Sequence, residues 1–379
     1  MVIVLVYFKS TFMPEFNRYF RTLDTLVQFR RNDNRYFAME QNRGCNRSCF
    51  HCGVRDQYDS SQELTLEDSC RAIDRLYGLG ARIGTGLGGE PLMTTARTKE
   101  GITFYEHTLE WVRYAKRKGM LIGISTNGDF FTEYKADQLK KAGLDWITFS
   151  LHTETKKGLN HLVDCAKMAA DNGIVPIIHD LITSQNADYF PGIAAHVAEN
   201  GILVNATVVQ EKGGSFSTKP ETSLIPTKEQ QARVFTALAH LKNYGFVRIN
   251  KKLLLRGLDY YPNGWKCNPE ADYFLHIGAG GTLDVCEEAR TDWTVFDIDN
   301  LNDKRWRDRK RELIKKCTGC LYRCYYESEN PSIRGELTTL GVMALIKIGG
   351  ANLVRRWGQV ATQMSRKLAP DIDWQLQLV

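Results

Sequence analysis

The sequence carries no secretory signal, no hydrophobic run long enough to cross a membrane and no strong excess of one charge. Its opening apolar run, residues 1–8, is short, follows no basic segment and precedes no small-residue cleavage site. A formal charge of +6 over 379 residues is mild and gives no indication of a nucleic-acid partner. We therefore expect a cytoplasmic protein, long enough for two domains or for one large domain with an appendage.

The ten cysteines stand at short spacings that fit metal ligation better than disulfide cross-links. Cys45, Cys49 and Cys52 form a C-x3-C-x2-C pattern on what we expect to be a loop. Three thiolates on so short a loop can converge on one soft metal centre, and no fourth cysteine lies nearby. A cluster held by three cysteines leaves one iron open to a small molecule. The alternative is a structural zinc site that borrows a distant ligand.

Patterns typical of strands alternate with patterns typical of helices from residue 36 to about residue 210. This alternation predicts parallel strands joined by right-handed crossovers. Six units are too few for an eight-fold barrel, so we predict an α/β fold, a partial (β/α)6 TIM-like barrel. Its chemistry should lie at the carboxyl ends of the strands. The six predicted strands are 36–40, 81–87, 120–125, 146–151, 174–182 and 202–210.

Several polar segments follow directly after these strands, and their convergence predicts a single site. They are the cysteine loop, Gly88–Pro91, Thr126–Gly128 and Ser150–His152. Further side chains at strand ends could bind substrate or carry a proton, or could be solvated loop residues. These are His152, His179, Asp180, Glu211 and Lys212. Cys70 and Cys165 lie on apolar helix faces, where packing in the core is the expected role.

The chain divides into five predicted parts. They are an N-terminal extension (1–35), the α/β core (36–212), a linker and helix (213–260), a cysteine-rich domain held by metal (261–330) and an amphipathic tail (331–379). The tail carries an apolar stripe of Leu353, Trp357, Val360, Met364 and Leu368. The favoured interpretation is a helix packed on the body of the protein. Contact with a membrane surface or a partner is the alternative.

The cysteine loop resembles that of the radical S-adenosylmethionine (SAM) superfamily. Cys45, Cys49 and Cys52 match the cluster loop of that family, and His51 stands where an aromatic residue often precedes the last cysteine. The resemblance covers residues 36–210. It implies a [4Fe–4S] cluster whose open iron binds the amino and carboxylate groups of SAM.

The resemblance extends to a set of cofactor-binding positions. Gly88, Gly89, Glu90 and Pro91 resemble the family's motif for the SAM amino group. Glycines allow the backbone to approach an ammonium group closely, and Glu90 can accept its hydrogen bond. Ser125, Asn127 and Ser150 resemble the polar residues that contact the ribose or the carboxylate.

The C-terminal cysteines resemble the auxiliary-cluster domains called SPASM and twitch. Cys267 and Cys286 match the opening of the pattern, and Cys317, Cys320 and Cys324 match its close. With five cysteines instead of seven, one auxiliary [4Fe–4S] cluster is favoured. Cys317 and Cys320 are the favoured partners of Cys267 and Cys286. A structural zinc ion on the same four residues is the alternative.

The resemblance implies that an external one-electron donor, such as flavodoxin or ferredoxin, drives reductive cleavage of SAM. The resulting 5′-deoxyadenosyl radical would take a hydrogen atom from a small-molecule or lipid-linked biosynthetic substrate. Dehydrogenation, epimerisation and bond formation all remain open. A peptide-modifying enzyme is one alternative, and a non-catalytic zinc-binding protein is an alternative of a different class.

Overall fold

An eight-stranded sheet forms the framework of the computed structural model, in the order β6-β5-β4-β3-β2-β1-β7-β8. The structure describes residues 35–49, 52, 63–152, 155–209, 224–261, 264–286, 289–330 and 333–378. The strands are β1 (Arg35–Glu40), β2 (Ala81–Leu87), β3 (Leu121–Thr126), β4 (Trp146–Leu151), β5 (Val175–Ile182), β6 (Leu203–Val208), β7 (Phe274–Ile277) and β8 (Leu283–Asp284).

Eleven α-helices are described alongside this sheet. They are α1 (Leu66–Gly78), α2 (Phe104–Arg117), α3 (Glu133–Ala142), α4 (Lys156–Asp171), α5 (Phe190–Glu199), α6 (Lys228–Asn243), α7 (Lys251–Arg256), α8 (Lys304–Lys316), α9 (Arg323–Glu329), α10 (Ile333–Lys347) and α11 (Ala351–Leu368). A short 3-10 helix, Gly257–Tyr260, follows α7.

The predicted partial barrel is confirmed. Strands β1 to β6 are parallel to their neighbours, and each of the six predicted strands is present within two residues of its expected ends. Threonine side chains cap the N-termini of five helices. Each accepts a hydrogen bond from a backbone N–H group that has no partner within the helix. The capping threonines are Thr65, Thr103, Thr132, Thr155 and Thr227.

Two strands come from the cysteine-rich tract and extend the same sheet. β7 lies parallel to β1, with Tyr36 opposite Phe274, and β8 runs antiparallel to β7. The start of the cysteine-rich tract therefore continues the sheet at the β1 edge. The domain boundary at residue 261 stays a prediction, and the predicted linker over 213–225 lies largely outside the described residues.

The C-terminal helix α11 packs on α5 and α6 through a face of small and β-branched residues. These residues are Ala351, Val354, Gly358, Ala361, Thr362 and Ser365. The helix therefore packs on the body, as the favoured interpretation expected, but it does so through its small residues, and the large apolar side chains of the stripe are exposed. No helix in the described part of the chain is both long and apolar enough to cross a membrane.

The cysteines assigned to the core divide into two cases. Cys165 is buried on α4, with 3% of its surface exposed. Cys70 is only half-buried, at the margin of the apolar face of α1, where burial raises the pKa of its thiol to about 11. Its placement in the core was therefore only partly correct.

Asp145, at the start of β4, links three elements through one buried carboxylate. It pairs with Lys116 on α2 and Lys347 on α10, and it accepts a hydrogen bond from the Ile122 backbone at 2.8 Å. Burial alone would raise the pKa of Asp145, but Lys347 and Lys116 outweigh it and lower the pKa to about 2. We expect Asp145→Asn to reduce the free energy of unfolding by about 3 kcal/mol, because two largely buried ammonium groups lose their counter-charge.

The effect should depend on pH, because the pKa of Asp145 lies below the unfolded value of about 3.9. The stabilisation is complete above that value and is lost as the pH falls towards 2, so the difference between wild type and variant should shrink over this window. Urea unfolding midpoints measure it. Asp137→Asn, which removes an exposed pair with Lys141, is the control and should change stability by less than about 0.5 kcal/mol.

Candidate active site

The cysteine loop is held against the glycine loop after β2 by direct backbone contact. Gly89 N–H donates to the Asn42 carbonyl at 2.9 Å, and Glu90 N–H donates to the Gly44 carbonyl at 2.8 Å. A Cβ atom at position 89 would overlap the Gly44 carbonyl, and Gly88 has a φ of 146°, which side chains disfavour. The two glycines are therefore required because two backbones touch here, a reason that the motif alone did not reveal.

The Glu90 carboxylate is fully buried and ties the glycine loop to the end of β3. Its oxygens accept hydrogen bonds from Thr126 Oγ1 at 2.7 Å, from Leu92 N–H at 2.9 Å and from Asn127 N–H at 2.8 Å. Burial raises the pKa of Glu90 in spite of these donors. The side chain thus positions the loop, and its predicted hydrogen bond to the SAM amino group stays a prediction.

Asn127, directly after β3, is buried and contacts the cysteine loop. Its Nδ2 donates to Asn46 Oδ1 at 2.8 Å and lies 3.9 Å from Cys45 Sγ. Asp129 accepts from Asn46 Nδ2 at 2.8 Å and forms an ion pair with Arg47. The loop that follows β3 therefore holds Asn46 and Arg47. These two residues lie between Cys45 and Cys49.

The three predicted thiols are close enough to interact electrostatically. Cys45 is exposed, whereas Cys49 and Cys52 are half-buried, and Cys52 N–H donates to the Cys49 carbonyl at 3.1 Å. Burial raises the pKa of both Cys45 and Cys49, and Cys52 raises each further. Mutual repulsion between thiolates is relieved when a metal centre binds them.

The donor type fits an iron–sulfur cluster, because such clusters are held by cysteine thiolates. Among the described residues, no three Cys, His, Asp or Glu side chains stand close enough to share one metal ion. Thiolates that bind different irons of a four-iron cube stand farther apart than ligands of a single ion. His51 lies outside the described residues.

A cavity of about 420 Å³ lies against the sheet and collects polar side chains from neighbouring strands. The predicted residues Ser125, Ser150 and His179 all line it. Ser150 stands opposite His179 in the register of the sheet, and His179 stands opposite Asn205. We call this cavity the chamber.

Asn205 was missed by the sequence analysis. It is 5% exposed and lines the chamber, and its Oδ1 atom has no hydrogen-bond partner among the described residues. The sequence signal was the alternation of Asn205 and Thr207 with apolar residues along β6, since alternate residues of a strand share one face. Burying an unpaired amide oxygen is costly, so this atom points to a bound donor.

One part of the chamber wall is charged. Tyr36 and Arg248 form a hydrogen bond there, and Arg323 pairs with Glu327 at 3.4 Å. Burial raises the pKa of Tyr36, although Arg248 opposes this effect. Cys324 also lines the chamber.

The remaining predicted site residues that the structure describes lie outside the chamber, at several separate positions. His152 lines a second cavity of about 260 Å³ together with Arg47 and His161, apart from His179. Asp180 is buried and does not line the chamber, because successive strand residues face opposite sides. The carbonyl of Pro91 accepts a hydrogen bond from Thr108 on α2. Glu211 and Lys212 lie outside the described residues.

Three of the other C-terminal cysteines lie near Cys267. Burial raises the pKa of Cys267, and Cys320, Cys286 and Cys317 each raise it further. Cys317 and Cys320, the partners favoured by the sequence, therefore lie near Cys267. Cys324 lines the chamber.

Backbone contacts fix the loop that carries Cys317 and Cys320. Trp265 and Cys320 exchange two backbone hydrogen bonds, at 2.7 and 3.0 Å, and Gly319 N–H donates to Cys317 Sγ at 3.3 Å. Glu329, which also acts on Cys267, has a pKa raised to about 7 by burial.

Comparison with known proteins identifies the domain that contains the α/β core. A protein-family model described as the radical SAM superfamily matches residues 39–196. This chain contains a radical SAM domain. Members of this superfamily are enzymes that use a [4Fe–4S] cluster and SAM, the two cofactors that the sequence predicted for this domain. The match also counts against the alternative of a non-catalytic zinc protein.

Curated relatives of this chain carry several different activities. Fe-coproporphyrin III synthase of Methanosarcina barkeri is 29% identical over 233 residues, which cover 58% of this chain and 56% of that protein. The AdoMet-dependent heme synthase of the same organism is 30% identical over 121 residues, 32% of each chain. The probable GTP 3′,8-cyclase of Pyrococcus horikoshii is 33% identical over 118 residues, 30% of this chain and 33% of that protein. The chain spans about half the length of the first relative and about a third of the others.

Solved structures share the fold over most of this chain. Streptococcus suis SuiB aligns with a TM-score of 0.55 and 14% identity, covering 83% of this chain and 78% of SuiB. Native anSMEcpe with bound AdoMet and Cp18Cys peptide aligns with a TM-score of 0.50 and 15% identity, covering 87% and 99% of the two chains. At such low identity the likeness supports the fold alone.

Proposed function

We propose that this radical SAM enzyme takes a hydrogen atom from a small-molecule or lipid-linked substrate that binds in the chamber. The cluster and SAM supply a 5′-deoxyadenosyl radical when an external electron reduces the cluster. Cys45, Cys49 and Cys52 would hold the cluster. Gly88–Pro91, Ser125, Asn127 and Ser150 would contact SAM.

The position of the chamber carries this proposal. It is lined by Leu87, the residue before the glycine loop, and by Ser125 and Ser150 at the ends of the next two parallel strands. The cysteine loop is bonded to that same glycine loop. A substrate in the chamber would therefore lie beside the site predicted for SAM.

The wall of the chamber indicates what a substrate must offer. Asn205 Oδ1 needs a donor, so the substrate should present an N–H or O–H group to β6. His179 stands opposite Asn205 on the neighbouring strand and offers a further polar contact. The arrangement suits a polar group of the substrate, with the charged wall at Arg248 and Glu327 elsewhere in the chamber.

Asn205→Asp tests this requirement, because a carboxylate keeps the acceptor atoms and the size but adds charge. We expect Asn205→Ala to lower substrate turnover and to leave SAM cleavage without substrate intact. Asn205→Asp should recover part of the lost turnover. If Asn205→Ala retained full turnover of an identified substrate, the chamber would not be its binding site.

We also propose one auxiliary [4Fe–4S] cluster on Cys267, Cys286, Cys317 and Cys320. It would relay electrons to or from the substrate, and the overall outcome could be dehydrogenation, epimerisation or bond formation. The proximity of the other three thiols to Cys267 supports the assignment. A flavodoxin or ferredoxin would deliver the first electron.

Iron content separates the four proposed ligands from Cys324. After anaerobic reconstitution we expect roughly eight irons per wild-type chain and roughly four in Cys267→Ser or Cys317→Ser. Cys324→Ser is the matched control and should keep both clusters, because its thiol lines the chamber. A loss of iron in Cys324→Ser but not in Cys317→Ser would reverse the assignment, and zinc without sulfide would refute the cluster.

A peptide substrate is the second candidate, because solved neighbours include structures with bound peptides. Deuterium transfer into 5′-deoxyadenosine distinguishes the two classes. The reduced enzyme is incubated with SAM and with separate small-molecule, lipid and peptide fractions from deuterium-grown cells. We expect labelling from the small-molecule or lipid fraction, whereas labelling from the peptide fraction alone would make the enzyme a peptide maturase.

A further inference from the structure

The large exposed apolar side chains of the described residues are concentrated on the last two helices. Nine such side chains are exposed, and seven of them lie on α10, on α11 or in the turn between them. These seven are Leu337, Ile348, Leu353, Trp357, Val360, Met364 and Leu368. Large exposed apolar patches on a folded protein mark interaction sites.

Unlike an ordinary surface helix, α11 does not turn its large apolar side chains towards the protein. Its small residues face the protein, while five large apolar residues face away from it. At 100° per residue, positions 353, 357, 360, 364 and 368 fall within an arc of about 80°. We call these five residues the apolar ridge. Leu353 and Leu368, the first and last residues of the ridge, are both 58% exposed.

The ridge is held rigidly on the body. Gly358 lies so close to the Ala198 carbonyl on α5 that a Cβ atom would overlap it. Trp357 Nε1 donates to the Tyr244 carbonyl at 2.9 Å, and its ring packs edge-on against Tyr244. The exposure of the ridge therefore belongs to the docked helix and does not arise from a detached one.

The chain segment that carries the ridge has charged residues of one sign only. Residues 337–370 contain five basic residues and no acidic residue. Lys347, Arg355 and Arg366 pair with acidic residues elsewhere on the body. Arg356 and Lys367 have no ion-pair partner among the described residues, and both lie along one edge of the ridge.

We propose that the apolar ridge and its two cations dock this enzyme on the surface of an anionic membrane. Large apolar side chains enter the boundary between headgroups and acyl chains, while Arg356 and Lys367 meet lipid phosphates. The proposal is independent of the substrate proposed above.

Charge disfavours the other occupants of this surface. A symmetric contact between two copies through the ridge would bring four unpaired cations together, with no acidic residue in 337–370 to neutralise them. The segment 1–34 contains five basic and three acidic residues, so it also offers no net negative charge. Anionic lipid supplies both the apolar layer and the missing charge.

Vesicle flotation of the reconstituted holoenzyme tests the proposal. We expect flotation with vesicles containing about one third phosphatidylglycerol, much weaker flotation with pure phosphatidylcholine, and loss of binding in about 0.5 M salt. Leu353→Gln with Leu368→Gln should lower the partition coefficient at least about tenfold. Arg356→Gln with Lys367→Gln should lower it roughly 20-fold.

Matched pairs of exposed residues elsewhere are the controls. Tyr134→Gln with Leu255→Gln removes the other two large exposed apolar side chains, and Lys228→Gln with Lys252→Gln removes two exposed cations. Both pairs should float like wild type, and all four variants should keep wild-type formation of 5′-deoxyadenosine.

Three results would overturn the proposal. The first is the absence of flotation with wild type, and the second is equal flotation of the ridge and control variants. The third is a wild-type dimer in sedimentation velocity that the Leu353→Gln, Leu368→Gln variant converts to a monomer, which would assign the ridge to a second copy.

Discussion

Cys49→Ala should abolish formation of 5′-deoxyadenosine from SAM. Cys49 is the middle member of the three-thiol loop, and a cluster that already uses three protein ligands has none to spare. Without it the loop offers two thiols, so we expect the N-terminal cluster to be lost and the rate to fall to that without enzyme. Iron content should drop by roughly four per chain. The measurements are iron and sulfide content, the electron paramagnetic resonance of the reduced cluster, and 5′-deoxyadenosine by chromatography.

Cys70→Ala is the matched control, because it removes a half-buried thiol on α1 that lies outside the cysteine loop. It should retain both iron content and SAM cleavage. If Cys49→Ala kept a full cluster and its activity, another residue would have to supply the ligand. The assignment of the C-x3-C-x2-C loop would then fail.

The six parallel strands could be predicted because their signal is local. Alternating strands and helices, with threonines at helix starts, fix each unit within a short window of sequence. The four-residue strand β7 could not be predicted in the same way. Its place in the sheet depends on pairing with β1, whose residue Tyr36 lies far away in the chain. Local sequence patterns do not identify so distant a pairing partner.

The candidate site shows the same division. The thiols and the glycine loop were evident from their spacing, but the part played by Asn205 depends on strand register, which places it opposite His179. The sequence already favoured Cys317 and Cys320 as ligands but could not say where Cys324 lies. The fold places Cys317 near Cys267 and Cys324 at the chamber.

The tail illustrates a limit of periodicity. Helical spacing identified the stripe on α11, but spacing alone does not say which face meets the body. Gly358 and its small neighbours decided that question, because a close helix–helix approach needs small residues at the contact. A large apolar stripe is thus compatible with a helix docked through the other face.

Gly89→Ala should disable the site without removing any functional group. The added methyl group would overlap the Gly44 carbonyl, and the obstacle is backbone and not a side chain that could turn away. The hydrogen bonds from Gly89 to Asn42 and from Glu90 to Gly44 must then lengthen. The cysteine loop would move relative to the glycine loop. A displacement of about 1 Å between reacting groups can lower a rate about 100-fold, and we expect a loss of that order in SAM cleavage.

Gly78→Ala is the matched control, since no atom lies within 4 Å of the position that its Cβ would take at the end of α1. It should leave SAM cleavage unchanged and should stabilise the helix slightly. SAM affinity, measured by equilibrium binding to the reconstituted protein, then separates two causes of the Gly89→Ala defect. Weaker SAM binding at normal iron content would place the damage between the two loops, whereas normal binding and cleavage would show that their backbone contact is unimportant for catalysis.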